Sequence, residues 1–132
     1  MRRRLPALLL WGGLCLCLAR PAAADAEHDR CIAASDGTNT AWATCGADLL
    51  KREDGRLNGA WKRVFAGLPD ETRKNLLDEQ RAWNAFKETS CLFYRSDDWG
   101  REGQVLHFPL CRAAVIAERV KALEGYGTFF KQ

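Results

Sequence analysis

The sequence lacks several things, and each absence narrows what the protein does. No stretch alternates apolar and polar residues long enough to make a strand, which argues against a sheet. Beyond residue 24 no apolar run is long enough to span a bilayer. No two cysteines stand close in a C-x-x-C pair, which argues against the common structural zinc sites. There is no internal repeat, no low-complexity tract and no linker that would divide the chain, so 132 residues read as about one domain. Basic charge is also scarcer than it first looks. The formal net charge is +3, from 20 Lys+Arg against 17 Asp+Glu. Arg2, Arg3, Arg4 and Arg20 lie in the first 24 residues, which hold no acid; without them 16 basic residues face 17 acidic ones, a net charge of −1. Nothing in that nearly neutral remainder suits a nucleic acid.

What the first 24 residues do contain is an export address. Met1–Arg4 is cationic, Leu5–Ala19 is apolar, and Ala22-Ala23-Ala24 supplies the small residues that signal peptidase cuts after. The expectation is a secretory signal peptide over 1–24, cut before Asp25, and a helical domain over 25–132. The apolar run of about 15 residues falls short of the roughly 20 needed to span. Leu14 and Leu16 precede Cys15 and Cys17, where lipid attachment wants small residues. The mature chain is thus expected in a periplasm or outside the cell, and not across a membrane.

Four cysteines remain: Cys31, Cys45, Cys91 and Cys111. In an exported chain an even count reads as two disulfides. Three pairings are open. The local one, Cys31–Cys45 with Cys91–Cys111, is the expected one, and each closed loop would stabilise the fold by about 3 kcal/mol.

Helical patterning runs along the rest of the chain. Asp25–Asn39 is polar and holds the turn Asp36-Gly37. Thr38 or Thr40 can cap a short helix carrying Trp42 and Cys45, which Gly46 interrupts, with Asp48 as a second cap. Leu49, Leu50, Leu57, Trp61, Val64, Phe65 and Leu68 then recur at helical spacing. Asp70 and Glu71 open a second long helix through Leu76, Leu77, Trp83, Phe86, Cys91 and Tyr94, ending near Arg95. Ser96–Phe108 reads as a loop. Pro109 starts a shorter C-terminal helix that Gly125 and Gly127 end. The expected fold is all-α: a small bundle of two long helices, a shorter C-terminal helix and a disulfide-tied N-terminal segment.

Three segments carry a resemblance. Asp54-x-x-Leu57-Asn58-x-x-Trp61 resembles the D-x-x-L-N-x-x-Y segment of the LprI-like lysozyme-inhibitor domain family. Gln80-Arg81-Ala82-Trp83-x-x-Phe86-Lys87-x-x-x-Cys91 is similar to that family's Q-R-A-W helix, and Cys111, Arg119 and Leu123 to its closing segment. Cys31 and Cys45 match its two N-terminal cysteines. Trp61 stands where Tyr is usual, Lys87 replaces Arg, and Asp97-Asp98-Trp99 occupies a loop that commonly carries Gly-Ser. The resemblance implies a small exported helical protein, with lysozyme inhibition attributed to some members; neither an enzyme nor a need for a cofactor is expected.

The side chains with chemical potential are then weighed singly. At helical spacing Trp61, Trp83 and Phe86 read as core rather than as a ligand pocket. Asn58 and Gln80-Arg81 suit a polar contact between helices. Glu88 with Asp97 or Asp98 has the residue types of a glycosidase pair, but nothing places them together, so no catalytic residue and no metal ligand is expected. His28 is expected in solvent and His107 at a loop end. The Ser96–Phe108 segment, with Arg95 before it, is the best candidate for partner binding, through Arg95, Trp99, Arg101 and His107, because Trp and Arg commonly anchor interfaces. Lysozyme or another cell-wall glycosidase is the expected partner. The alternative is a non-inhibitory structural or accessory protein of the cell envelope.

Overall fold

A computed structural model describes residues 25–129; the expected signal segment lies outside them. Among the described residues every regular element is helical. Helix α1, Ala26–Ala34, begins where the Asp25 carboxylate accepts the amides of Glu27 at 2.9 Å and His28 at 3.0 Å. A turn at Asp36-Gly37 leads to Thr38, whose hydroxyl accepts the Ala41 amide at 3.2 Å and caps α2, Asn39–Phe65. The Thr38 hydroxyl and amide both donate to Asp36, and these bonds hold its carboxyl below the usual carboxylate range. Pro69 opens α3, Asp70–Thr89, with Asp70 and Glu71 in its first turn. Two 3-10 turns (Leu92–Arg95 and Asp97–Trp99), the single turn α4 (Gly100–Glu102) and a π-helical turn (Gly103–His107) lead into α5, Phe108–Phe129.

The all-α class and both local disulfides are as expected. Cys31–Cys45 ties α1 to α2, and Cys91–Cys111 ties the end of α3 to the start of α5. Among the described residues no helix is long and apolar enough to cross a membrane.

The helix boundaries need correction, and glycine is the reason. Gly46 does not interrupt α2, which runs unbroken for 27 residues past Gly46, Gly55 and Gly59. Its role is contact: a Cβ on Gly46 would stand 2.7 Å from Cγ and 2.9 Å from Cβ of Pro109. Gly125 and Gly127 do not end the last helix either. At 22 residues α5 is longer than α3, at 20, so it is not the shorter partner that was expected. A helix tolerates each glycine at about 1 kcal/mol when packing holds the backbone, and Gly127 lies against Val64. The polar N-terminal segment is itself a helix, and His28 on it is 3 % exposed rather than solvated.

Pro109 explains the π-turn. Proline has no amide hydrogen to give the carbonyl four residues back and clashes with it in a regular α-helix. The backbone widens over Gly103–His107, and the Phe108 amide reaches the Gly103 carbonyl. Helical turns therefore lead up to Pro109, and α5 begins one residue before it, at Phe108.

The core lies mainly between α2 and α5. Leu57, Ala60 and Val64 meet Ile116, Val120 and Leu123, with Leu68 and Leu76 closing one end. Leu49, Ile116 and Leu123 are fully buried, each contributing about 1.5–3 kcal/mol over an exposed position. Helix α3 rests on this pair through Leu76 and Trp83 and through a polar contact. Arg119 of α5 is buried; its Nε donates to Gln80 Oε1 at 2.9 Å, and Nη1 pairs closely with Glu79. Tyr126 Oη donates to the same Glu79 carboxylate at 3.2 Å.

Candidate partner-binding surface

The segment joining α3 to α5 is built from its ends inward. Ser90 closes α3 by donating its hydroxyl to the Phe86 carbonyl at 2.7 Å. Cys91 then takes a left-handed conformation, φ 68°, which turns the chain and aims its sulfur at Cys111. Buried Arg112 completes the corner. Its Nη2 donates to the carbonyls of Glu88 at 3.2 Å and Ser90 at 3.1 Å, which places a cation at the negative end of α3.

Between these anchors the chain makes helical turns, not the open loop expected over Ser96–Phe108. Tyr94 and Trp99 each donate a backbone amide three residues back, to Cys91 at 3.0 Å and Ser96 at 3.1 Å. Gly103 has no room for a side chain, since the Tyr94 carbonyl and the Trp99 side chain press on its Cα. The result is an aromatic cluster. Trp99 lies edge-on to Tyr94 at 5.0 Å and to Phe93 at 5.4 Å. His107 joins it, 5.4 Å from Trp99 and 5.6 Å from Tyr94. Such pairs add about 0.5–1.5 kcal/mol each beyond burial, enough to order a short segment.

Of the four expected residues, Trp99 and His107 are thus brought together. Arg95 reaches the same end of the molecule by lying 5.2 Å over the Phe108 ring. Arg101 stands apart on α4, its Nη1 donating to Gln104 Oε1 at 2.9 Å. All four are exposed. Sequence reasoning missed Leu92 and Phe93, although the Leu-Phe-Tyr run directly after Cys91 was visible; Phe93 is 68 % exposed. It also placed Phe86 in the core, where the structure leaves it 58 % exposed. Phe86 and Trp83 instead line an apolar groove of about 540 Å³ between α3 and α5, with Ala114, Val115 and Cys111. Glu88 faces Lys87 and Arg112, at 3.6 and 3.9 Å, and Asp97 and Asp98 lie exposed on a 3-10 turn.

Compared with known families, residues 31–123 match the model of the LprI lysozyme inhibitor. The chain belongs to the LprI family. No curated protein and no solved structure matches it. The LprI match starts at Cys31 and stops at Leu123, so it takes in both disulfides and the whole turn segment. It also takes in the two motif helices, whose polar residues have divided roles in this LprI domain. Gln80 makes the interhelical contact, but to Arg119 of α5 rather than to Asn58. Arg81 pairs with Asp78 of its own helix at 2.9 Å.

Proposed function

We propose that this LprI-family chain is an exported binding module that inhibits a lysozyme-like glycosidase by protein–protein contact, using the turn segment between α3 and α5. The carrying observation is the exposed apolar surface there. Leu92, Phe93 and Trp99 are each at least 39 % exposed, with exposed Leu110 next along at the start of α5. Arg95 and His107 are exposed beside them, and Arg101 is exposed on the neighbouring α4. Exposed apolar surface rimmed by polar groups is typical of interaction sites, and Trp and Arg are its usual anchors. A disulfide and the Arg112 cap hold the segment, so little ordering entropy opposes docking. A glycosidase cleft presents carboxylates, to which the Arg95 and Arg101 guanidiniums are complementary. Export, with residues 1–24 as the cleaved signal, belongs to the same reading, and the two disulfides fit an oxidising compartment.

The test is lysis of bacterial cell walls by lysozyme, followed by turbidity, with and without the purified chain. Inhibition is expected. Arg101→Ala with His107→Ala, both exposed, should weaken it by about tenfold or more, the effect of about 1.4 kcal/mol. No inhibition at micromolar excess across several lysozyme types refutes the inhibitor reading and leaves the accessory-protein alternative. Inhibition that survives the double substitution moves the contact elsewhere on the chain.

A further inference from the structure

The two motif segments meet at a second place, away from the turn segment. Across α2 and α3, Asp54, Asn58 and Trp61 face Gln80, Asn84 and Lys87 around a cleft of about 380 Å³ floored by Leu57. Leu57 needs no further explanation, since it is core. The polar residues do. Asp54, Asn58 and Asn84 are exposed at the rim, and packing does not account for them. Arg119 occupies the Gln80 carbonyl oxygen, which fixes the amide and leaves its NH2 as a donor.

We infer that this cleft binds a neutral polyhydroxylated ligand, an oligosaccharide. The chemistry of the walls selects it. Lys87 is already paired with Glu88 at 3.6 Å, and Asp54 adds a negative charge, so an anion is not favoured. A carboxylate, two asparagine amides, a glutamine NH2 and an ammonium give interleaved acceptors and donors, which match hydroxyl and acetamido groups that both give and take hydrogen bonds. Trp61 adds a flat apolar wall for the C–H face of a sugar ring. It is held by stacking on Phe65 at 4.9 Å. A site with a few converging polar groups on a largely formed cleft is the common architecture of small-ligand binding. None of these residues belongs to the segment proposed above for the glycosidase, so the two readings stand or fall separately.

The experiment is an amide-correlation NMR titration of the isotope-labelled chain with chitotriose, with maltotriose, and with inorganic phosphate. Shifts are expected with sugar at the Asn58 and Asn84 side-chain amides, the Gln80 amide and the Trp61 indole NH, and not with phosphate. Asn84→Arg, at an exposed position, should leave the thermal melt unchanged and weaken sugar binding at least tenfold. Tighter binding of chitotriose means the amides read acetamido groups; equal binding means the hydroxyls suffice. No shift at those signals at about 10 mM of either sugar, where a site with a Kd of about 1 mM would be mostly filled, overturns the inference. So do equal affinity in Asn84→Arg, and phosphate binding in place of sugar.

Discussion

Gly46→Ala and Gly55→Ala make the same chemical change in the same helix and should have opposite effects. At Gly55 a new Cβ meets nothing within 4 Å. The substitution there only removes glycine's backbone entropy cost, and the protein should gain about 0.5–1 kcal/mol. At Gly46 the new Cβ would stand 2.7 Å from Pro109 Cγ and 3.3 Å from the Val105 carbonyl oxygen. Carbon atoms prefer separations of about 3.5–4.0 Å. Pro109 cannot rotate its ring away, and it is buried at the head of α5. Relief therefore requires α2 and α5 to part by nearly 1 Å along their shared seam. Overpacking of this kind costs about 1–3 kcal/mol. The propensity gain is common to both variants and cancels in their difference. Gly46→Ala should thus be less stable than Gly55→Ala by about 1–3 kcal/mol, a gap of roughly 4–20 °C in Tm for a domain of this size. Urea unfolding followed by circular dichroism, with both disulfides intact, measures it directly. If the two variants rise together, the close approach of α2 and α5 at Gly46 is wrong.

Two further outcomes rest on other parts of the fold. Among the described residues buried His28 has no hydrogen-bond partner at either ring nitrogen, and Asp29 is 3.9 Å away. His28→Leu should raise stability by about 1–3 kcal/mol, because unpaired buried polar groups cost that much; a lower denaturation midpoint would show that the ring nitrogens are served after all. Arg112→Ala removes both hydrogen bonds from the end of α3 and should cost about 3–6 kcal/mol, since hydrogen bonds from a charged group contribute about 1.5–3 kcal/mol each. Hydrogen exchange read by mass spectrometry should quicken around residues 86–99 and stay unchanged in the middle of α2. Uniform quickening would mean that Arg112 supports the core rather than this corner.

The sequence was readable where the cause is local. Apolar spacing placed α2 and α3, the cap at Thr38 obeys ordinary chemistry, and adjacent cysteines proved to be partners. It misled where a distant contact decides. Gly46 looks like a helix breaker until Pro109, far along the chain, is seen filling the space its missing side chain leaves. Gly127 looks like a stop until Val64 is seen against it. Burial of His28 follows from the docking of α1 on α2, which the Cys31–Cys45 bridge enforces and which no pattern within α1 announces. At the candidate surface the position of Trp99 and His107 in one segment was evident, but their edge-on contact depends on the turn that Gly103 permits. Phe86 was misassigned because helical spacing says which residues share a face, not whether a neighbour covers that face.

The disulfide pattern also bears on how the molecule is made. Each bridge joins a cysteine to the next one along the described chain, over 14 and then 20 residues. On the export proposed above, a chain threaded through a translocon N-terminus first would offer Cys31 and Cys45 to an oxidant before Cys91 has emerged. The first pair available is the correct pair, and so is the second. An oxidase that simply links thiols in order of arrival therefore produces the native connectivity without a step of reshuffling. Maturation of this protein should require a thiol oxidant but not a disulfide isomerase.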